Sequence, residues 1–328
     1  VRTPDTTCAG VSGLLSNADL TADEVAVLVE RAGAWFRDGP PATKPLDGTF
    51  VGIWFELTST RTRTAFSVGA GRLGATPVPL SGAELQTSTG ETPEDTARVL
   101  GGMVDGIVVR STHSTARLAA LEAAAGVPFI NAMAEDEHPT QGLCDLATLA
   151  VHFPRLSGLR VLYVGEGNNT ASALARAAAK VPGLAVTFAV PEGYGLPEQL
   201  VRSAHEEASR EGGLVEQCHD VGRLGRDVDV VYTTRWQTTG TSKSDPAWRE
   251  RFEPFRVDDA FLRRFPGALF MHDLPAHRGD EVTGDVLDGP RSIAWSQARM
   301  KLYSAMAVLA HVFARPLGDA ADRIDRTR

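Results

Sequence analysis

Cysteine is scarce in this chain of 328 residues: Cys8, Cys144 and Cys218 are far apart and complete the supply. Three scattered thiols exclude a disulfide framework and a cysteine-based zinc site. No apolar run reaches bilayer-spanning length, and the first residues lack the charged-then-apolar plan of a secretory leader. The expected compartment is therefore the cytoplasm, with no membrane partner. Positive charge is not in excess either. The formal net charge of −8 argues against general nucleic-acid binding, so a basic cluster in this background reads as a local ligand site. Lysine occurs only at positions 44, 180, 243 and 301, a preference for arginine that decides nothing about function. No short-period repeat or low-complexity linker interrupts the chain.

What is present is the composition of a globular protein, with 43% apolar and 23% charged residues. The length exceeds one ordinary domain, and two lobes are expected. Apolar periodicity predicts a first helix over 20–36, with Thr21 as N-cap and Glu24 three residues on. Strands are expected at 49–55, 76–80, 106–110 and 127–131, separated by helices at 62–73, 92–103 and 114–125. Such alternation signals a parallel sheet covered by helices on both faces. A long helix over 140–153 leads into a second alternation, with strands at 159–164, 185–190, 228–233 and 268–272. Its helices fall at 169–180, 196–211 and 258–265, and an apolar helix over 296–313 follows. The fold class is α/β, two doubly wound parallel-sheet lobes joined by helices. The expected lobes are 1–142 and 143–295, with the terminal helix, about 296–315, packing back on the first.

Polar residues gather where strands end, which is where open α/β sheets bind ligands. Ser59, Thr60, Arg61, Thr62 and Arg63 follow the apolar run 51–55 at a strand-to-helix junction. Unpaired N–H groups and the helix dipole favour an anion there, and guanidinium forks match phosphate oxygens. A lone Ser-Thr-Arg would read as a capped helix with a solvated arginine; five such residues at one junction favour a phosphate site. Arg110 ends a strand, and His138 with Thr140 and Gln141 precedes the long helix at the lobe junction. His272 and Asp273 close the last strand, and Arg299 lies early in the final helix. Singly, these are a surface charge, a structural histidine and a turn acid. Together they supply cations for a phosphate, donors for a developing oxyanion and acceptors for an N–H group.

Five segments in order, Ser59–Arg63, Asp95–Leu100, His138–Gln141, Val164–Asn169 and His272–Val282, resemble motifs of the aspartate/ornithine carbamoyltransferases over nearly the whole chain. The ornithine branch is the closer match. The resemblance implies carbamoyl transfer from carbamoyl phosphate to an amine, in a trimer or a multiple of it, with no metal or organic cofactor. Ser59, Thr60, Arg61 and Thr62 match the phosphate cradle, and Arg110 and His138, with Thr62, match the donors to the carbamoyl oxygen. Gln141 and the Leu274 carbonyl match acceptors for the carbamoyl NH2. Arg299 matches another ligand-facing arginine, and Gln86 a glutamine on a loop presented to a neighbouring subunit.

The acceptor half departs from that pattern. Ornithine enzymes carry Asp-x-x-x-Ser-Met after the strand that here ends at Thr233, whereas this chain has Thr234, Arg235, Thr238 and Thr239 there. The cysteine of His-Cys-Leu-Pro is Asp273, while Asn169 keeps the residue that contacts the amino-acid head group. Losing a carboxylate partner for an ammonium costs about 1.5–3 kcal/mol at a buried site. The expectation is therefore a changed acceptor, such as a shorter diamino acid like 2,3-diaminopropionate, an N-acylated or peptide-bound diamine, or an intermediate of specialised metabolism. Ornithine itself is the alternative. Asp273 would pair with the acceptor ammonium, orient His272 or help deprotonate the amine. Two other classes compete. Gly165 and Gly167 after a strand suggest a nucleotide-binding oxidoreductase, although the third glycine of that fingerprint is missing. A catalytically silent binding paralogue is the other.

Overall fold

The computed structural model describes residues 13–314, apart from 83 and 239 and the side chains of 87 and 88. Cys8 and Thr239 fall outside the described residues. Two parallel sheets form the frame. The first contains Phe50–Phe55 (β1), Thr76–Ser81 (β2), Gly106–Arg110 (β3) and Phe129–Asn131 (β4), in the order β2-β1-β3-β4. The second contains Arg160–Val164 (β5), Ala185–Ala189 (β6), Leu214–Cys218 (β7), Val230–Thr233 (β8) and Leu269–His272 (β9), in the order β7-β6-β5-β8-β9.

Helices connect the strands: Ala22–Asp38 (α1), Arg61–Arg72 (α2), Pro93–Gly101 (α3), Thr115–Ala125 (α4) and Pro139–His152 (α5). Asn169–Ala178 (α6) and Glu198–Arg210 (α7) serve the second sheet. Trp248–Phe252 (α8), Asp259–Arg263 (α9) and Gly284–Leu287 (α10) are short, and Ala294–Phe313 (α11) is the last. Thr21 and Glu24 form the expected capping box, which fixes the start of α1. α11 packs against α1, α2 and α5. One apolar core runs from α1, β1 and α2 through α5 and α11 to β5, β6 and β8.

Central strands read as the near-continuous apolar runs expected of strands buried on both faces, and every residue of β3 is buried. β7 escapes sequence reading because it is an edge strand in which Glu216 is exposed and Val215 alone is buried. β4 starts at Phe129 rather than 127 because Pro128 has no N–H to give the ladder. In both sheets the chain lays its first strand centrally and then builds to either side. That order opens a crevice at the carboxyl ends of β1 and β3, and another at those of β5 and β8. The registers Phe55↔Arg110, Val164↔Thr233 and Thr233↔His272 put the following turns side by side. No helix among the described residues is long and apolar enough to cross a membrane.

Candidate active site

A cavity of about 260 Å³ lies where these strand ends meet. Ser59, Thr60, Arg61, Thr62, Arg110, His138 and Gln141 line one side. Asn169, Thr234, Arg235, Thr238, Asp273 and Leu274 line the other. Fourteen residues were expected at the site besides Gln86 and Thr239; thirteen of them meet here.

The two helix starts that face the crevices differ in one respect. Thr60 gives α2 no side-chain cap, which leaves its first-turn N–H groups open to an anion. Asn168 caps α6 instead, its Oδ1 accepting from the N–H groups of Thr170 and Ala171 at 3.0 and 3.2 Å. A diphosphate would find those donors taken, so the Gly165–Gly167 turn does not make the dinucleotide cradle that the oxidoreductase reading requires.

Charge in the cavity is lopsided. Arg61 and Arg110 are buried at Nε with no hydrogen-bond partner there among the described residues. Burial, then the charge on Arg61, pulls Arg110 down to about 10, and burial likewise lowers Arg61. Both stay cationic at neutral pH. Lys301 joins them, and Asp273 is the one carboxylate among the described lining residues. An under-compensated buried cation is costly unless an anion fills the space beside it.

His138 is buried, and burial followed by the charges of Lys301 and Arg110 holds its imidazole well below the usual range. It therefore stays neutral at pH 7 and acts as a hydrogen-bonding group, not a cation. Below about pH 6.5 the unfolded chain takes up a proton that folded His138 refuses, so stability is lost as pH falls through that value. Replacing His138 by Asn should make the variant's stability less acid-sensitive than the parent's, by up to about 1.4 kcal/mol per pH unit below 6.5. Denaturant titrations at pH 5.5 and 8 check this; parallel losses in both proteins contradict it.

Gln141 is held from behind. Its Nε2 donates to Asp145 Oδ1 at 2.6 Å, which turns Oε1 towards the cavity, where Lys301 Nζ donates to it. Asp145 also accepts from Gln297 Nε2 at 2.7 Å and from the Tyr232 hydroxyl at 3.0 Å. Burial pushes its carboxyl up to about 7.

Asp273 accepts from Thr234 Oγ1 at 2.9 Å and from Thr170 Oγ1 at 3.1 Å. Its Oδ1 lies 3.6 Å from His272 Nδ1, but no proton is shared between them. That ring's Nδ1 accepts from Leu274 N at 2.8 Å, so the proton sits on Nε2, which reaches Glu281 Oε1 at 3.1 Å. Of the described non-glycine residues only Met133 and Leu274 have positive φ, 145° and 54°, and both line the cavity. Backbone strain of this kind costs on the order of 1–3 kcal/mol and concentrates at ligand sites.

Arg299 requires a correction. It lies over the Phe36 ring at 4.7 Å from the centroid and near Tyr303, outside the cavity. Residues two apart on a helix point about 200° apart, so Lys301 faces the site and Arg299 does not. The missed signal was the polar series Gln297, Lys301 and Ser304 at helical spacing on an otherwise apolar helix. Thr170 was also missed, because a hydroxyl in the first turn of a helix ordinarily reads as local capping. Gln86 is exposed on the turn Gln86–Thr89, where its Oε1 accepts from Thr89 Oγ1, and does not line this chain's cavity. Among the described residues no group of three or more His, Cys, Asp or Glu is arranged for a metal, and Cys144 and Cys218 are unbridged.

Both halves of the chain match family models. Residues 13–150 match the carbamoyl-P binding domain of aspartate/ornithine carbamoyltransferase, and 157–312 match its Asp/Orn binding domain. The chain belongs to the aspartate/ornithine carbamoyltransferase family, and is thus an enzyme of the carbamoyltransferase class. An ornithine carbamoyltransferase of Parafrankia sp. is 41% identical over 300 residues, 90% of this chain and 94% of that one. An anabolic ornithine carbamoyltransferase of Pyrococcus furiosus is 39% identical, over 91% and 95% of the two chains. The solved ornithine carbamoyltransferase structure from Pyrococcus furiosus aligns with a TM-score of 0.85 at 38% identity, over 93% and 98% of the two chains.

Proposed function

We propose that this protein transfers the carbamoyl group of carbamoyl phosphate to the side-chain amine of ornithine or a closely related diamino acid, giving a ureido product and phosphate. The observation that carries the proposal is the pairing, across one cavity, of under-compensated cations at the uncapped start of α2 with the lone carboxylate of Asp273. In this reading Ser59, Thr60, Arg61 and Thr62 hold the phosphate. Arg110, neutral His138 and Thr62 donate to the carbamoyl oxygen as negative charge builds on it. Such preorganised donors are worth roughly 3–4 kcal/mol each. Gln141 and the Leu274 carbonyl accept from the carbamoyl NH2, and the Asp145 contact keeps the Gln141 oxygen on the correct side. Asn169, Thr234, Arg235, Thr238 and Asp273 face the acceptor, where Asp273 pairs with its ammonium.

The uncharged amine attacks the carbamoyl carbon, the C–O bond to phosphate breaks, and the departing phosphate takes the amine proton. Binding both substrates in one enclosed cavity contributes through proximity and exclusion of water. Assembly as a homotrimer, with Gln86 offered to a neighbour's cavity, accounts for the exposure of Gln86.

Ornithine is favoured by relatives at 35–41% identity, which are ornithine carbamoyltransferases. One observation favours a different amine: the acid stands at 273, hydrogen-bonded to Thr234, instead of at 234 itself. Moving a carboxylate to the neighbouring strand end moves the ammonium it holds. Phosphate release and ureido product measured with carbamoyl phosphate and a panel of ornithine, 2,3-diaminopropionate, N-acyl diamines and aspartate separate these readings. Ornithine as best substrate supports the first, a shorter or blocked diamine the second. Release with no amine in the panel overturns both.

A further inference from the structure

Ten residues beyond β8 the chain buries a positive charge in a cage that the proposed chemistry does not use. The Lys243 side chain is 6% exposed and its ammonium pairs with Glu166. It also stands 5.0 Å from the ring centroid of Tyr194, 5.4 Å from that of Trp248 and 5.2 Å from that of Phe252. Three rings and a carboxylate around one ammonium form a strong cation site, since each ring face attracts the charge most where water is excluded. The cage is itself anchored, because Phe252 is fully buried and Trp236 packs on it at 5.5 Å.

Glu166 has a second attachment. Its Oε2 accepts from Thr238 Oγ1 at 3.1 Å while Oε1 takes the Lys243 ammonium. Between those two points the chain turns on itself, Thr241 N and Oγ1 both donating to Thr238 O. One carboxylate at the end of β5 therefore grips the loop after β8 at Thr238, which lines the acceptor side of the cavity, and again at Lys243. Lys243 also forms the far wall of a second cavity, about 360 Å³, that meets the first at Asn168, Asn169 and Thr238.

We propose that Lys243 is a specificity-determining positioning residue: caged by Tyr194, Trp248 and Phe252 and tied to Glu166, it clamps the loop so that Thr238 and Arg235 face the acceptor and the acceptor space ends at a fixed depth. The kinetic side rests on the carbamoyl-transfer reading above, whereas the clamp itself does not. Lys243 touches no reacting atom. It acts through Thr238 and the loop.

Lys243→Met, which keeps the aliphatic stem in the cage and removes the charge, is compared with Lys243→Arg in the full-length protein. For Lys243→Met the KM of the best amine from the panel should rise about tenfold or more, with the KM of carbamoyl phosphate within twofold of the parent. Lys243→Arg should recover most of that loss. Acrylamide quenching of tryptophan fluorescence reads the clamp without turnover, because Trp236 and Trp248 border the cage; quenching should increase in Lys243→Met and return to the parental value in Lys243→Arg. If both substrate KM values move together with a fall in Tm, Lys243 is only a stability element and the proposal is overturned. Unchanged quenching and unchanged KM overturn it as well. Absence of turnover in every variant and the parent, with quenching altered as expected, would refute the carbamoyl-transfer reading while supporting the clamp.

Discussion

Arg110→Met should raise the melting temperature of the ligand-free protein by ~2–4 °C while lowering kcat/KM about a thousandfold. The two effects have one cause. Arg110 is buried at the end of β3 beside a second guanidinium, with its Nε lacking a hydrogen-bond partner among the described residues and its pKa drawn down to about 10. A flexible apolar side chain of similar length removes that desolvated charge, and such replacements are commonly neutral or stabilising. The same change removes a donor aimed where the carbamoyl oxygen would gather charge, together with a cation for the phosphate. Scanning calorimetry with and without inorganic phosphate measures the first part, and initial rates measure the second. The parent should gain more stability from phosphate than the variant does. A variant that melts lower and turns over normally would sink the assignment of Arg110 to the donor site.

Asp273→Asn should raise the KM of the amine by about 10–150-fold, the equivalent of losing 1.5–3 kcal/mol of charge-assisted hydrogen bonding. The KM of carbamoyl phosphate should hardly change. The asymmetry follows from position: Asp273 is held by Thr234 and Thr170 on the second-sheet side of the cavity. A sharper form of the experiment is the double change Thr234→Asp with Asp273→Cys, which moves the acid to the position it holds in the ornithine pattern. If the natural acceptor is not ornithine, ornithine turnover should improve about tenfold or more in the double variant, and the native amine should lose by a similar factor. If ornithine is already the best substrate, the double change should bring no gain. Loss of donor affinity in either variant would show that Asp273 serves the phosphate side after all.

That the proposed donor residues gather in one cavity was legible because they are tied to strand ends that the apolar pattern of the sequence locates. β3 is five buried residues closing on Arg110, and the apolar run before Ser59 could end only in that turn. The helix start at Thr21 was readable for a similar reason, since a capping box is a local pattern within four residues. What escaped was set by long-range packing. Whether Arg299 or Lys301 faces the site depends on the phase of α11 against α2 and α5, and an apolar helix buried on most sides does not announce its phase. β7 escaped because its partner lies on one side only and its sequence carries too few apolar residues. Whether Asp273 orients His272 could not be read from sequence, because that turns on which nitrogen of His272 carries the proton. The backbone N–H of Leu274 decides that.

Donor and acceptor groups are mounted differently, and that difference sets what can change. Arg110 is the last residue of a strand paired in fixed register and Arg61 the first residue of α2, so their backbone positions are fixed by the elements that carry them. Thr234, Arg235 and Thr238 ride on a segment outside the sheets, fastened by a handful of side-chain contacts. Rewriting that short stretch, with one residue after β9, would let a lineage try new amines while the proposed donor half stays intact. Diversification of such a scaffold should therefore proceed loop first.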